Sequence, residues 1–273
     1  MHRRRLLRTL TLAGLGVTAA ACGLRRDDEP LTAPGGEDPP AAEDERADVS
    51  PDRDEEPDEP APEEPPPEDP PEEPGEPQPS VARVEVLCRE ALDLRPATPT
   101  DARHRLDRLT LHHTAVALEA AALAPQRLRR HQEHHQGQGW TDIAYHYAVD
   151  LAGNVYELRD PDVPGDTFTG YDTTGHLHVV CEGDFETQQP TDALLAGVGD
   201  LLAALASQHE LSVASLEPHR AYVPTTACPG QHLRVRLAEV QAHAQRQVEH
   251  QAPRVAPICG VEARQRVAEI EAG

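Results

Sequence analysis

The sequence IAYHYAVDLAGNVYEL, residues 143–158, contains two strand-like segments on either side of a turn. Residues 143–150 alternate largely apolar with polar side chains, which is typical of a strand with one buried face. Either Ala152-Gly153 or Gly153-Asn154 can form the turn, and residues 155–158 begin a second strand. This stretch therefore predicts a β-hairpin.

Further strands and helices are predicted on both sides of the hairpin. The other strand-like segments are 81–87, 106–113 and 177–181. Helical spacing of apolar residues covers 118–136, 191–208 and 235–250. Thr191 is placed to cap the second of these helices. Mixed strands and helices predict an α/β fold, a single domain with a central mixed β-sheet flanked by helices. We assign residues 81–273 to this domain, with its core at about 105–235.

An acidic, proline-rich segment precedes the predicted domain. Residues 27–80 hold 22 acidic residues, two arginines and 16 prolines, so they supply most of the formal net charge of −23. Ordering a backbone costs about 1–2 kcal/mol per residue, and this segment has almost no large apolar side chains to offset that cost. We therefore interpret residues 23–80 as a disordered linker. The acidic balance also argues against nucleic acid as a partner.

Residues 1–22 have the pattern of an export signal. The basic cluster HRRRLLR at 2–8 precedes an apolar run that ends at Ala21 and is shorter than the roughly 20 residues of a membrane-spanning helix. Arg3-Arg4 fits a twin-arginine signal, and the general secretory route stays open.

The end of this signal, Ala19 to Cys22, resembles a bacterial lipobox, with Ala19 where leucine is usual. Cleavage before Cys22 and acylation of its sulfur would provide a stable membrane anchor. The alternative is an ordinary signal peptide cut after Ala21. We expect an exported lipoprotein of the bacterial cell envelope, attached to the membrane through the lipid.

Three residues in the predicted domain could bind zinc. They are His112 at a strand end, His219 after Glu217-Pro218, and Cys228 in the sequence ACPG. Two imidazoles and one thiolate leave the fourth tetrahedral position open for water, which is the pattern of a catalytic site. Spacing alone does not single them out among 15 histidines.

Four sequence blocks resemble the zinc-dependent N-acetylmuramoyl-L-alanine amidases, which share a fold with the peptidoglycan recognition proteins. The blocks are TLHHTA (110–115), QGWTDIAYHYAVDLAGNVYELRD (138–160), TGYDTTGHLHVVCEGDFE (169–186) and HRAYVPTTACPG (219–230). They follow the order of the family and spread over nearly half of the chain.

The resemblance implies roles for five residues. His112, His219 and Cys228 match the zinc ligands, so Zn²⁺ is the expected cofactor. Tyr145 matches the tyrosine that faces the zinc and would stabilise the oxyanion. Thr226 matches a position that orients the water. The implied activity is hydrolysis, by zinc-activated water, of the amide between N-acetylmuramic acid and L-alanine in peptidoglycan. We expect a monomer.

Two other functions remain open. One is a peptidoglycan-binding module without activity, and the other is a zinc amidase for a different acylated amino acid or peptide. Non-catalytic members of the family typically lose the cysteine ligand, so Cys228 favours the enzyme.

The chain departs from the family pattern at two places near the site. His219 and Cys228 are nine positions apart, one more than usual, so we expect a bulge near residues 222–223. Residues 166–169 read DTFT where relatives often carry a histidine near the substrate groove.

Other polar residues receive structural interpretations. Trp140 and Asp142 are expected to fix a helix-to-strand junction. His131, His134 and His135 share one helix face, which could bind a metal adventitiously and which we interpret as a polar face. Cys181 is expected to be a buried thiol. Cys88 and Cys259 lie at the two edges of the domain and form a candidate disulfide, which export would permit.

Overall fold

A computed structural model describes residues 82–273. The expected export signal at 1–22, Cys22 and the acidic linker lie outside the described residues. Within 82–273, no helix is long and apolar enough to cross a membrane.

Seven strands form one sheet in the order β6-β2-β5-β3-β4-β1-β7. Their bounds are β1 (Arg83–Leu87), β2 (Arg108–His113), β3 (Tyr147–Val149), β4 (Val155–Glu157), β5 (His176–Cys181), β6 (Glu217–Pro218) and β7 (Arg254–Ile258). Strands β3 and β4 pair antiparallel, and the other neighbouring pairs are parallel. The predicted mixed sheet is confirmed.

The predicted hairpin is present, but its first strand is shorter than expected. His146 still bonds to β5 through the His178 carbonyl, whereas residues 143 and 144 bond to side chains. The Ala144 N–H donates to His135 Nδ1 at 3.1 Å, and the Ile143 carbonyl accepts from Arg159 Nε at 2.7 Å. In the turn, Asp150 Oδ1 accepts from the N–H groups of Ala152 and Asn154.

Helices cover both faces of the sheet. Their bounds are α1 (Ala124–Gly137), α2 (Asp192–His209), α3 (His219–Tyr222), α4 (Gln231–Arg234), α5 (Leu237–Gln251) and α6 (Gly260–Ala272). On one face, α2 and α5 pack over a core that includes Leu111 and Val179. On the other, residues of α1 and α6 pack over a second core that includes Val180. The predicted cap is confirmed, since Thr191 Oγ1 accepts from Leu194 N–H at 3.0 Å.

The strand β7 and the helix α6 extend the fold beyond the core predicted at 105–235. Strand β7 pairs in parallel with β1 over five residues and forms the edge of the sheet. Pro257 is tolerated there because an edge strand has one unpaired side. A disulfide joins Cys88, just after β1, to Cys259, just after β7. The two ends of the described chain are therefore fastened at one edge of the sheet.

Candidate functional site

The structure brings the three predicted metal ligands together at the carboxyl end of β2. His112 lies on β2, His219 begins α3 directly after β6, and Cys228 follows a turn. One donor atom from each lies within 4.8 Å of the other two, and all three residues are buried. The parallel pairing of β6 with β2 places His219 beside His112.

The chain between His219 and Cys228 is closed by its own hydrogen bonds. Helix α3 makes one turn, and the Thr226 N–H then donates to the Val223 carbonyl at 3.1 Å. The Arg220 N–H donates to the Cys228 carbonyl at 3.1 Å, which draws the ends of the loop together. The nine-position spacing thus still brings both donors into one group.

Both histidines have a polar partner at Nε2. His112 Nε2 lies 2.8 Å from His178 Nδ1, and His219 Nε2 lies 2.6 Å from Thr169 Oγ1. The Cys228 Sγ lies 3.6 Å from His112 Nδ1. His112 therefore meets the thiol with Nδ1 and His178 with Nε2. Such outer partners fix the ring orientation of metal-binding histidines.

Burial sets the protonation of these groups. It lowers the pKa of His219 to about 4 and holds the pKa of His112 well below its usual 6.5. Both imidazoles are therefore neutral at pH 7, the form that binds a metal. Burial raises the pKa of the Cys228 thiol to about 12, against the effect of the His113 N–H that points at the sulfur. A metal would have to displace the thiol proton.

The two predicted catalytic residues line the same cavity. The ring of Tyr145 lies 5.2 Å from that of His112, centroid to centroid. Burial, followed by the charge of a Cys228 thiolate, raises the pKa of the Tyr145 hydroxyl far above its usual 10, so it stays protonated. Thr226 Oγ1 accepts from the Cys228 N–H at 3.2 Å, so it fixes the loop that carries the third ligand.

The cavity has a volume of about 380 Å³, and its far wall is aromatic. Trp140 packs against His135 with 4.8 Å between ring centroids and against Phe168 with 4.4 Å. Asp142 holds the junction as expected, since it binds Arg89 at 2.6 Å and Gln132 at 2.6 Å. Trp140, however, also faces the cavity, which the junction interpretation did not include.

The loop that carries Phe168 is fixed by hydrogen bonds to Arg159 and by the close packing of Gly165 against the sheet. The buried guanidinium of Arg159 bonds to the Asp166 carboxylate and to the Pro164 carbonyl. Gly165 lies so close to the sheet that a Cβ there would be 2.5 Å from His178 Cδ2 and 2.6 Å from the Ala144 carbonyl oxygen. Only glycine fits this approach.

The helix face at residues 131–135 is polar, as predicted, but it is only partly exposed. His135 is buried, and His131 Nε2 lies 3.2 Å from Glu182 Oε1. Glu182 is itself fully buried at the end of β5, with Arg127 Nε at 3.5 Å from Oε1. The helix α1 is thus joined to the sheet by a buried carboxylate. Cys181, beside it, is a buried free thiol as expected.

Sequence reasoning missed the residues around the ligands, above all His178 and Thr169. His178 carried a weak signal, because the strand 176–181 places two histidines on one face at i and i+2. Thr169 carried none, since only the fold brings it to His219. Within residues 82–273, the other group of three close donors is Cys88, Glu90 and Cys259, whose thiols are used in the disulfide.

Comparison with known proteins places this geometry in a family. Residues 102–231 match the family Amidase_2, N-acetylmuramoyl-L-alanine amidase. The chain is 33% identical over 131 residues to peptidoglycan-recognition protein SD of Drosophila simulans, which covers 47% of this chain and 69% of that protein. It is 34% identical over 128 residues to the human N-acetylmuramoyl-L-alanine amidase, covering 45% of this chain and 22% of the relative.

A solved structure shows the same fold. The crystal structure of the Drosophila peptidoglycan recognition protein SD superposes with a TM-score of 0.51 at 28% sequence identity. The superposition covers 56% of this chain and 94% of the crystal structure. The chain therefore belongs to the Amidase_2 family, which joins N-acetylmuramoyl-L-alanine amidases with peptidoglycan-recognition proteins.

Proposed function

We propose that this protein is a zinc-dependent amidase that cleaves the bond between N-acetylmuramic acid and L-alanine in peptidoglycan. The observation that carries the proposal is the donor set itself. His112, His219 and Cys228 offer two nitrogens and one sulfur within 4.8 Å of one another, at the floor of an open cavity.

The described residues fit a zinc ion. Three protein donors of this kind leave one position for water or substrate, as in catalytic zinc sites. Both imidazoles are kept neutral by burial, and their Nε2 atoms are already engaged by His178 and Thr169. When bound in such a site, zinc lowers the pKa of water to about 7 and polarises a carbonyl.

Tyr145 is proposed as the residue that stabilises developing negative charge. Its raised pKa keeps the hydroxyl protonated, so it can donate a hydrogen bond to the oxygen of the attacked carbonyl. One oxyanion donor of this kind is worth about 2.7–4 kcal/mol of the barrier. We propose that Thr226 acts mainly by fixing the loop that carries Cys228, because its Oγ1 already accepts a hydrogen bond from the Cys228 N–H. Its hydroxyl hydrogen remains able to donate into the cavity.

Peptidoglycan recognition without hydrolysis is the second candidate. It is favoured by the similarity to a protein named for peptidoglycan recognition. Both candidate functions use the same cavity. They differ in whether the Cys228 thiol binds a metal ion. A zinc amidase acting on another acylated amino acid is the third candidate, and the substrate test below separates it.

The test is release of stem peptide from purified peptidoglycan by the full chain. We expect new L-alanine amino termini with zinc, loss of release with a chelator, and loss in Cys228→Ser. The Cys181→Ser variant, which removes the other free thiol, serves as the matched control and should keep the activity. Binding of peptidoglycan without release by the zinc-loaded protein would establish the recognition function instead. Release equal in Cys228→Ser and wild type would refute the zinc mechanism.

We also propose that the protein is exported and anchored through Cys22. The support is the sequence pattern of residues 1–22. Mass spectrometry of the mature N-terminus should show a diacylated Cys22, and a Cys22→Ala variant should leave the membrane fraction. An unmodified residue after Ala21 would support the ordinary signal peptide.

A further inference from the structure

The loop that joins β4 to β5, residues 158–175, forms one wall of the cavity, and we call it the cavity loop. It brings Phe168 and Thr169 into the cavity lining, and Thr169 also bonds to His219. The position of this loop therefore decides the shape of the cavity on this side. The side chain that joins the two ends of the loop is His104, which lies ahead of β2 in sequence.

The His104 ring is bonded through both nitrogens to the backbone of the cavity loop. The Gly175 N–H donates to Nδ1 at 2.9 Å, and Nε2 lies 2.8 Å from the Pro161 carbonyl oxygen. A peptide N–H can only donate and a carbonyl can only accept, so the ring hydrogen is on Nε2 and the ring is neutral. The His104 N–H also donates to the Asp162 carbonyl at 3.0 Å, which holds the residue against the loop.

Protonation of His104 is incompatible with this arrangement. A hydrogen on Nδ1 would point at the Gly175 N–H, so repulsion between two donors would replace the bond. Histidine is the side chain that changes its charge between pH 5 and 8, and His104 is only partly buried, so water can deliver the proton. The protonated ring also has an acceptor to turn to, because the Asp107 carboxylate faces both His104 and Gly175.

The titratable groups that face His104 from the sheet keep their charge between pH 7.5 and pH 5.5. Burial lowers the pKa of His146 to about 3 and that of His176, at the start of β5, to about 4. The hydrogen bond from Arg108 lowers the pKa of the Asp107 carboxyl. His146 also bonds to the loop, since its Nε2 lies 3.0 Å from the Val163 carbonyl oxygen. Of the two imidazoles at the base of the loop, His146 therefore stays neutral, and His104 is the one that solvent reaches.

The charged side chains near the start of the cavity loop have other partners. Asp160 Oδ1 accepts from the Asp162 N–H, and the Asp162 carboxylate faces His209. Arg159 bonds to Asp166. Within the described residues 158–175, no carboxylate is bonded to the His104 ring, so the ring is held by backbone groups alone.

We propose that His104 is a pH-sensitive latch on the cavity loop, whose neutral ring holds the ends of the loop together and whose protonation releases Gly175 and opens this wall of the cavity. The inference goes beyond the proposed function, because it concerns the folded chain without metal or substrate. The Gly175 carbonyl still accepts from the Asp107 N–H at 2.9 Å, so β5 stays in the sheet when the latch opens. Loss of one hydrogen bond changes such a local opening equilibrium about threefold to tenfold.

Amide hydrogen exchange of the metal-free full chain, followed by NMR, tests the latch. The Gly175 N–H reports on the bond to His104, and the Asp166 N–H, which donates to the Ala144 carbonyl at 3.2 Å, reports on the body of the loop. After correction for the intrinsic exchange rate at each pH, the protection of both amides should fall about threefold to tenfold from pH 7.5 to pH 5.5. The midpoint of this fall should coincide with protonation of the His104 ring, followed through its own nitrogen signals.

Two variants and one internal amide control the measurement. His104→Asn places an amide oxygen near the position of Nδ1, so it keeps an acceptor for Gly175 without a titrating group, and its protection should not change with pH. His250→Asn, at an exposed position of α5, should keep the wild-type response. The Glu182 N–H donates to the Val149 carbonyl at 2.9 Å inside the sheet, so it reports any loss of global stability and should lose less protection than the loop.

The inference is overturned if the protection of Gly175 does not change across this range, or if its midpoint differs from that of the His104 ring. It is also overturned if Gly175 responds and Asp166 does not, or if Glu182 loses protection by the same factor. A folded His104→Asn variant with the wild-type pH response would overturn it as well. Should that variant fail to fold, the comparison of midpoints in the wild type decides.

Discussion

His112 Nε2 and His178 Nδ1 lie 2.8 Å apart although 66 residues separate them in sequence. The parallel register of β2 and β5 causes this approach, because it sets Thr110 opposite His178 and His112 opposite Val180. The bond leaves His112 Nδ1 facing Cys228. His178 is therefore a positioning residue for the proposed metal site.

Replacing His178 should weaken zinc binding without unfolding the domain. Loss of such an outer partner costs about 10–100-fold in metal affinity. Phenylalanine is a suitable replacement, because His178 Nε2 is buried and has no hydrogen-bond partner among residues 82–273. Zinc titration against a competing chelator measures the effect. His250→Phe, at an exposed position on α5, is the control. Equal affinities for wild type and His178→Phe would contradict the role assigned to the bond.

The metal-free protein should lose stability as the pH falls from 7 towards 4. Burial lowers the pKa of His135 and His146 to about 3 and of His176 to about 4. The unfolded chain keeps values near 6.5, so below that pH it binds more protons than the folded state and the free energy of unfolding decreases. Each such imidazole contributes a loss of at most about 1.4 kcal/mol per pH unit.

Urea unfolding in the presence of a chelator checks this pH dependence. The midpoint should fall between pH 7 and pH 5, and His176→Asn should fall less steeply. Asp150 acts in the opposite direction, because burial raises its pKa and the folded state then takes up a proton first. The effect of Asp150 is confined to the acidic end of the pH range. Identical midpoints at pH 7 and pH 5 would show that the buried imidazoles have ordinary pKa values.

Removing Arg127 should destabilise the domain strongly. Its Nε lies 3.5 Å from the fully buried Glu182 carboxylate. Leaving a buried charge without its partner costs about 3–5 kcal/mol, whereas replacing both partners with apolar residues is often near neutral. We therefore expect Arg127→Met to lower the free energy of unfolding by up to that amount, since His131 Nε2 still lies 3.2 Å from the carboxylate. Arg127→Met/Glu182→Leu should recover much of the loss. Arg130→Met, at an exposed position of the same helix, is the control. Equal losses in the two single arginine variants would argue against a paired buried charge.

The disulfide between Cys88 and Cys259 closes a sequence separation of 171 residues. Removing a native disulfide typically costs about 2–5 kcal/mol. Cys259→Ser should therefore lower the denaturation midpoint, and a reducing agent should lower that of the wild type to a similar value. The reductant should have no further effect on the variant. A wild-type midpoint that is insensitive to full reduction would mean that the strand pairing alone holds this edge.

The sequence predicted the hairpin and the helix after Thr191 because each is encoded locally, by alternation or by a cap. It did not predict β7, because RVAPI has a proline and becomes a strand only against β1. The three metal ligands could be predicted because four short sequence blocks resemble those of the amidase family. The residues that orient these ligands could not be predicted. His178 reaches His112 through the register of β2 and β5, and Thr169 reaches His219 through the packing of its loop. His131 of α1 shows the same limit, because nothing nearby in sequence indicates that Glu182 lies beside it.

The pairing of β1 with β7 also decides how the domain responds to a pull from residues upstream of Ala82. The force enters along β1 and is carried in shear by hydrogen bonds to β7 and by the covalent link at Cys88. The order of the sheet places β2 and β6, which carry or lead into the metal ligands, at the opposite edge. Tension applied upstream of Ala82 would therefore load the edge of the sheet farthest from His112 and His219 first.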